Sequence, residues 1–164
     1  MPELARTGEK PAIDLIHHII STHHEFLRTE APKLRRMIGE LPDTLEARRC
    51  QQNLEVLLSD IDQHLLKEER ILFPTIEEIE MSVIEGREAR IMACGITGPI
   101  NQMVYEHEQV KELLRALDQD CPKIGREDLT LAVAALKDDL LEHIRVEEEE
   151  LFPLAEELCP GIVV

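Results

Sequence analysis

The stretch HLLKEERILFP, residues 64–74, recurs as HIRVEEEELFP, residues 143–153. Both copies read H-x-x-x-E-E-x-x-L-F-P, and they begin 79 residues apart. In each, a histidine precedes a glutamate by four residues: His64 with Glu68, and His143 with Glu147. In an α-helix that spacing places both side chains on one face, one turn apart. Each copy can therefore aim one imidazole and one carboxylate at a common point. Two such pairs meeting inside a bundle make a nitrogen/oxygen site for a pair of metal ions.

Outward from the repeat, apolar residues recur at helical spacing. The periodicity predicts helices over 12–39, 45–73, 100–117 and 127–152. Pro32 is expected to kink or end the first, with Asp43 or Thr44 as N-cap of the second. Pro99 fits the first position of the third helix. Pro74 is expected to kink or terminate the second, and Pro153 to close the fourth in the same way. A short helical continuation and connector follow Pro74, interrupted at Gly86. Strand-like alternation is hard to find. The expected fold is all-α, an antiparallel up-down four-helix bundle with the repeated phrase on helices two and four. The chain then reads as two helix hairpins related by an approximate internal twofold. Residues 1–11 are expected to be a tail, 12–158 one domain and 159–164 a short C-terminal tail.

Composition narrows the function. The formal charge of −16 argues against nucleic acid or an anionic membrane surface as partner. No apolar run is long enough to span a bilayer, and no basic segment leads into an apolar one. The cysteines at 50, 94, 121 and 159 contain no Cys-x-x-Cys pair, so a thiolate zinc site or thioredoxin-like motif is not expected. They read as reduced thiols in a cytoplasmic protein.

At about 100° per residue, His107 falls in the middle of the apolar stripe of the third helix. His64 and Glu68 share a side with Leu57, Ile61 and Leu72. His143 and Glu147 share one with Leu136, Leu140 and Leu151. An ionised glutamate on an apolar face is costly unless paired or metal-bound. The first helix carries His17, His18, His23 and His24; His18 points away, and the angle does not choose between His23 and His24. Glu69 and the run Glu148–Glu150 read as a solvated face.

Four imidazoles and two carboxylates can serve two ions, with the carboxylates bridging and two imidazoles on each. Without thiolates, such a set suits iron, with manganese second. Ferritin-like oxidases are a poor match, because they carry Glu-x-x-His with the glutamate first.

The segments IHHIISTHHEFLR (16–28), HLLKEERILFP, GPINQMVYEHEQVKELL (98–114) and HIRVEEEELFP together resemble the hemerythrin-like, or HHE cation-binding, proteins. Within them the chain looks most similar to the iron–sulfur cluster repair di-iron family. The resemblance implies a pair of non-haem irons, oxo- or hydroxo-bridged. It implies His24, His64, His107 and His143 as terminal ligands and Glu68 and Glu147 as bridges. Oxygen-carrying hemerythrins have a further histidine four residues after the third-helix ligand and an aspartate as the last carboxylate. Lys111 and Glu147 stand there, which implies a more open site. The eleven residues ahead of the first helix are expected to be tail rather than the small cysteine-containing domain that repair proteins commonly carry.

Two classes of function follow as expectations. One is a cytoplasmic di-iron protein that binds or reacts with nitric oxide or oxygen under nitrosative or oxidative stress, serving iron–sulfur proteins as repair partners. The other is an oxygen or iron binder or sensor without turnover.

Overall fold

The computed structural model describes residues 8–87 and 95–159. The expected tails fall largely on residues 1–7 and 160–164, and part of the connector, with Cys94, on 88–94; these lie outside the described residues. Four long helices make up the bundle. Helix α1 runs Pro11–Ile19, passes through a π turn at Ile20–His24, and continues as Glu25–Gly39. Helix α2 runs Leu45–Lys67, passes through a π turn at Glu68–Leu72, and continues as Phe73–Glu85. Helix α3 is Thr97–Asp120, followed by a 3-10 turn at Cys121–Ile124. Helix α4 runs Glu127–Val146, passes through a π turn at Glu147–Leu151, and continues as Phe152–Leu158.

Local chemistry accounts for the ends. Thr44 is the N-cap of α2, its Oγ1 accepting from the Ala47 amide at 3.2 Å. Gly86 stops α2 in the left-handed conformation at φ 64°, which a side chain would disfavour. Gly125, at φ 78°, turns the chain between α3 and α4 in the same way.

The prolines depart from expectation. Pro32 does not end α1; it lies within the helix on its exposed face. Pro74 and Pro153 do not terminate their helices either. Each follows a π turn, in which the amide of Phe73 reaches the Glu68 carbonyl and that of Phe152 reaches Glu147. The wider turn relieves the clash a proline ring makes with the preceding helical turn.

Helix α1 packs against α2 and α4, and α2 packs against α3. The apolar interior is in two parts. One contains Leu27, Leu34, Leu54, Leu58, Ile61, Leu114, Leu136 and Leu140. The other contains Ile16, Ile19, Phe73, Ile76, Met103, Leu151 and Phe152. The continuations beyond the two prolines supply much of the second part. Along their helices His24, His107, Glu68 and Glu147 fall between residues of one cluster and residues of the other, while His64 and His143 stand at the edge of the first, next to Leu65 and Ile144.

The reduced-thiol expectation is corrected for two cysteines. Cys50 and Cys121 form a disulfide, with Cα atoms 5.7 Å apart, well inside the range a bridge requires. A sequence separation of 71 residues conceals that proximity. The bridge ties α2 to the 3-10 turn after α3 within the first core cluster. Among the described residues no helix is long and apolar enough to cross a membrane.

Candidate metal centre

His24, His64, His107 and His143 reach one layer, together with Glu68 and Glu147. All six are buried, and both glutamates are fully so. Three of the four helices depart from α geometry at this layer. The π turn of α1 ends at His24, and those of α2 and α4 begin at Glu68 and Glu147. Such turns are rare and concentrate at functional sites.

The side chains sort into two overlapping sets: His24, His143, Glu68 and Glu147, and His64, His107, Glu68 and Glu147. Within the first, the two Nε2 atoms are 3.3 Å apart. Within the second they are 3.2 Å apart. Two nitrogens bound about 2.1 Å from one ion, at roughly 90–110°, stand about 3.0–3.4 Å from each other. The carboxylates are divided between the sets. Glu68 Oε2 is 3.1 Å from His24 Nε2, and its Oε1 is 2.8 Å from His64 Nε2. Glu147 Oε1 is 2.7 Å from His143 Nε2, and its Oε2 is 3.0 Å from His107 Nε2.

These contacts do not satisfy the carboxylates. Both Glu68 oxygens and Glu147 Oε2 are buried with no hydrogen bond of acceptable geometry. Leaving such atoms unpaired is costly. Nitrogens and oxygens crowd together yet aim past one another, toward shared points between them. Hard and borderline donors arranged so, with no sulfur, fit a pair of first-row transition ions.

Electrostatics agree. Burial opposes protonation of His64, but the charge and contact of Glu68, then Glu147 and Glu106, override it and raise its pKa to about 9. Burial likewise opposes protonation of His143, and Glu147 and Glu68 drive it upward. Burial alone would raise Glu147; His143 and His107 instead hold it well below the ordinary carboxylate range.

Three further carboxylates hold the imidazoles from behind. Glu69 Oε1 lies 2.8 Å from His24 Nδ1 and takes Arg28 Nη2 on its other oxygen at 2.7 Å. Glu148 Oε1 lies 2.8 Å from His107 Nδ1. Glu106 Oε2 lies 2.7 Å from His64 Nδ1, and its Oε1 accepts from Lys67 and Gln102. Burial tends to raise Glu69 and Glu106, but Arg28 and His24 lower the first, and Lys67 and His64 lower the second. The solvated-face reading is thus corrected for Glu69 and Glu148, which are partly buried; Glu149 and Glu150 are exposed. Sequence reasoning missed Glu106 altogether, although it immediately precedes His107.

The ambiguity on α1 is resolved by geometry. His24 enters the layer, while His23 turns its Nδ1 to Asp139 Oδ1 at 2.8 Å and stacks on His143. His17 and His18 are exposed. Lys111 pairs outward with Glu108 at 2.9 Å and adds nothing to the layer. A small apolar cavity beside His64, His107 and His143 is lined by Leu27, Ile61, Leu65, Val110, Leu140 and Ile144. It is just large enough for one water-sized molecule.

The family model described as the hemerythrin HHE cation binding domain matches residues 15–155. Three curated relatives are each called iron-sulfur cluster repair protein YtfE. That of Edwardsiella ictaluri (strain 93-146) is 31% identical over 160 residues, covering 90% of this chain and 67% of the relative. That of Yersinia pseudotuberculosis serotype IB (strain PB1/+) is 30% identical over 162 residues, covering 90% and 67%. That of Dickeya chrysanthemi (strain Ech1591) is 30% identical over 155 residues, covering 87% and 65%. The chain thus spans about two thirds of the length of these relatives.

Proposed function

The chain belongs to the hemerythrin HHE cation-binding family, and on that premise we propose that it is a non-haem di-iron protein that binds or reacts with nitric oxide or oxygen. Its place is in the repair of iron–sulfur clusters, as the names of its relatives suggest, and its reactivity suits it to the response to nitrosative or oxidative stress. In this reading His24 and His143 hold one iron, His64 and His107 the other, and Glu68 and Glu147 bridge them. The observation that carries it is the pair of buried carboxylates whose oxygens are split between two imidazole pairs.

When bound, the irons supply redox chemistry and exchangeable coordination positions. The chain's own residues do the rest. Glu69, Glu106 and Glu148 set the orientation of three imidazoles through their Nδ1 atoms. Leu27, Ile61, Leu65, Val110, Leu140 and Ile144 make the side of the layer facing them apolar, around a small space. Lys111 leaves the third helix one ligand short of an oxygen carrier, which favours exchange over storage.

The test is iron stoichiometry with the absorption spectrum before and after nitric oxide. About two irons per chain and a spectral change with nitric oxide on the ferrous form are expected. Less than about one iron per chain, from protein made in iron-replete medium, would overturn the reading. A full complement with no response to nitric oxide, oxygen or peroxide would leave the metal site and remove the reactivity.

A further inference from the structure

We propose that the two iron positions are unequal, and that the one between His24 and His143 releases its iron more readily than the one between His64 and His107. This rests on the di-iron reading and goes beyond it by naming the labile position.

The internal twofold relates α1 to α3 and α2 to α4. It pairs His24 with His107, His64 with His143, Glu68 with Glu147 and Glu69 with Glu148. Glu69 and Glu148 obey it, each lying 2.8 Å from the Nδ1 of the histidine on the neighbouring hairpin partner. Glu106 has no counterpart. It precedes His107 and holds His64 Nδ1 at 2.7 Å. The matching position, before His24, is His23.

His23 does not replace a carboxylate. Its ring lies parallel to that of His143, with centroids 5.4 Å apart and planes at 5°. Its Nδ1 is engaged by Asp139 Oδ1 at 2.8 Å. His143 Nδ1 is buried and has no partner. Asp139, one turn before His143, does not make up the difference, since its Oδ2 is also buried and unpartnered.

One position therefore has both imidazoles held by glutamates, and the other has one. A carboxylate on Nδ1 fixes the ring and the tautomer, and makes Nε2 a stronger donor to a metal. Removing such a partner costs about 10–100-fold in affinity. The sequence difference behind the asymmetry is small: Glu106-His107 on α3 against His23-His24 on α1.

The experiment loads the full chain anaerobically with two equivalents of ferrous iron and mixes it with excess ferrozine. Iron is expected to leave in two phases of one equivalent each, about tenfold or more apart in rate. Two phases alone do not assign the positions, so variants do. Glu69→Gln should quicken the fast phase and spare the slow one. Glu106→Gln should quicken the slow phase and bring the two together. His23→Glu, which places a carboxylate beside His143, should slow the fast phase several-fold. Glu106 is partly exposed and glutamine keeps its shape, so that variant decides the matter if His23→Glu fails to fold. Release in one phase, or a fast phase that answers to Glu106→Gln and not to Glu69→Gln, would overturn the inference alone. Loading that stops short of two irons would overturn the di-iron reading and this inference with it.

Discussion

Glu80, near the end of α2, accepts the backbone amide of Ala12 at 2.9 Å, and its second oxygen takes Ile13 at 2.7 Å. These are the first free amides of α1, since Pro11 has none to give. A carboxylate placed here also faces the positive end of the helix dipole. Glu80→Ala strands two amides in a largely buried setting and should cost about 2–4 kcal/mol. A fall of roughly 5–15 °C in melting temperature is expected for a chain of this size, with iron content retained. Calorimetry and metal analysis of the same sample check both halves.

Glu68 and Glu147 each serve both imidazole pairs, so neither has a substitute. Glu68→Ala or Glu147→Ala should abolish the binuclear spectrum and lower iron to one equivalent or less, whereas His18→Ala, at an exposed position, should leave iron content unchanged. Elemental analysis beside the absorption spectrum measures this. Full iron retention in both glutamate variants would dismiss them as bridges.

His64 links stability to pH in protein stripped of metal. Its folded pKa of about 9 lies above the ordinary 6.5. A raised pKa stabilises the fold fully below the unfolded value, and the contribution fades as pH rises through the folded one. Metal-free protein should therefore lose melting temperature between pH 6.5 and 9.5. In His64→Gln that slope should shrink. An equal slope in both would show that the proton on His64 contributes nothing.

The cavity beside the layer makes a separate prediction. Leu140→Phe or Ile144→Phe fills it from α4 without replacing a histidine or glutamate. Iron content should hold while the rate of nitric oxide binding to the ferrous protein falls, by about tenfold or more. Stopped-flow spectroscopy reads the rate. Undiminished binding would place the diatomic ligand elsewhere.

The Cys50–Cys121 bridge closes a loop of 71 residues, a constraint worth up to about 4 kcal/mol by loop entropy. Cys50 stands fourteen residues, or roughly 21 Å along the helix, from His64. Cys50→Ser should lower the denaturation midpoint and spare the iron. Loss of iron would mean that the bridge positions the metal layer.

Five residues of the layer were legible because their chemistry stands out locally; the angle left His23 and His24 open, and only the family resemblance pointed to His24. A glutamate in line with Leu57, Ile61 and Leu72 violates helical amphipathicity, and the duplicate phrase violates it twice. The glutamates behind the histidines break no local rule. Residue 69 or 148 lies about 100° around the helix from its bridging neighbour, on what looks like the wet side, and its histidine belongs to another helix. Glu80 and Ala12 are 68 positions apart, and Cys50 and Cys121 are 71. Nothing near any of them marks the partner. The prolines misled for a different reason. Proline breaks an α-helix, but the sequence does not announce a π turn, and each π turn precedes its proline by a single residue.

Helices that run on past Pro74 and Pro153 set the direction of traffic. Had they stopped, the metal layer would have lain at an open end of the bundle. Instead the second apolar cluster closes over it, and the first closes it from below. Apolar side chains line both axial approaches, around the small cavity beside the layer. The side of the bundle is the more open approach. Between α2 and α3, next to His64, the surface carries an open cleft bordered by Asp60, Gln63, Lys67, Gln102 and Glu106. The two prolines thus turn a cup with a rim into a closed barrel with a side door.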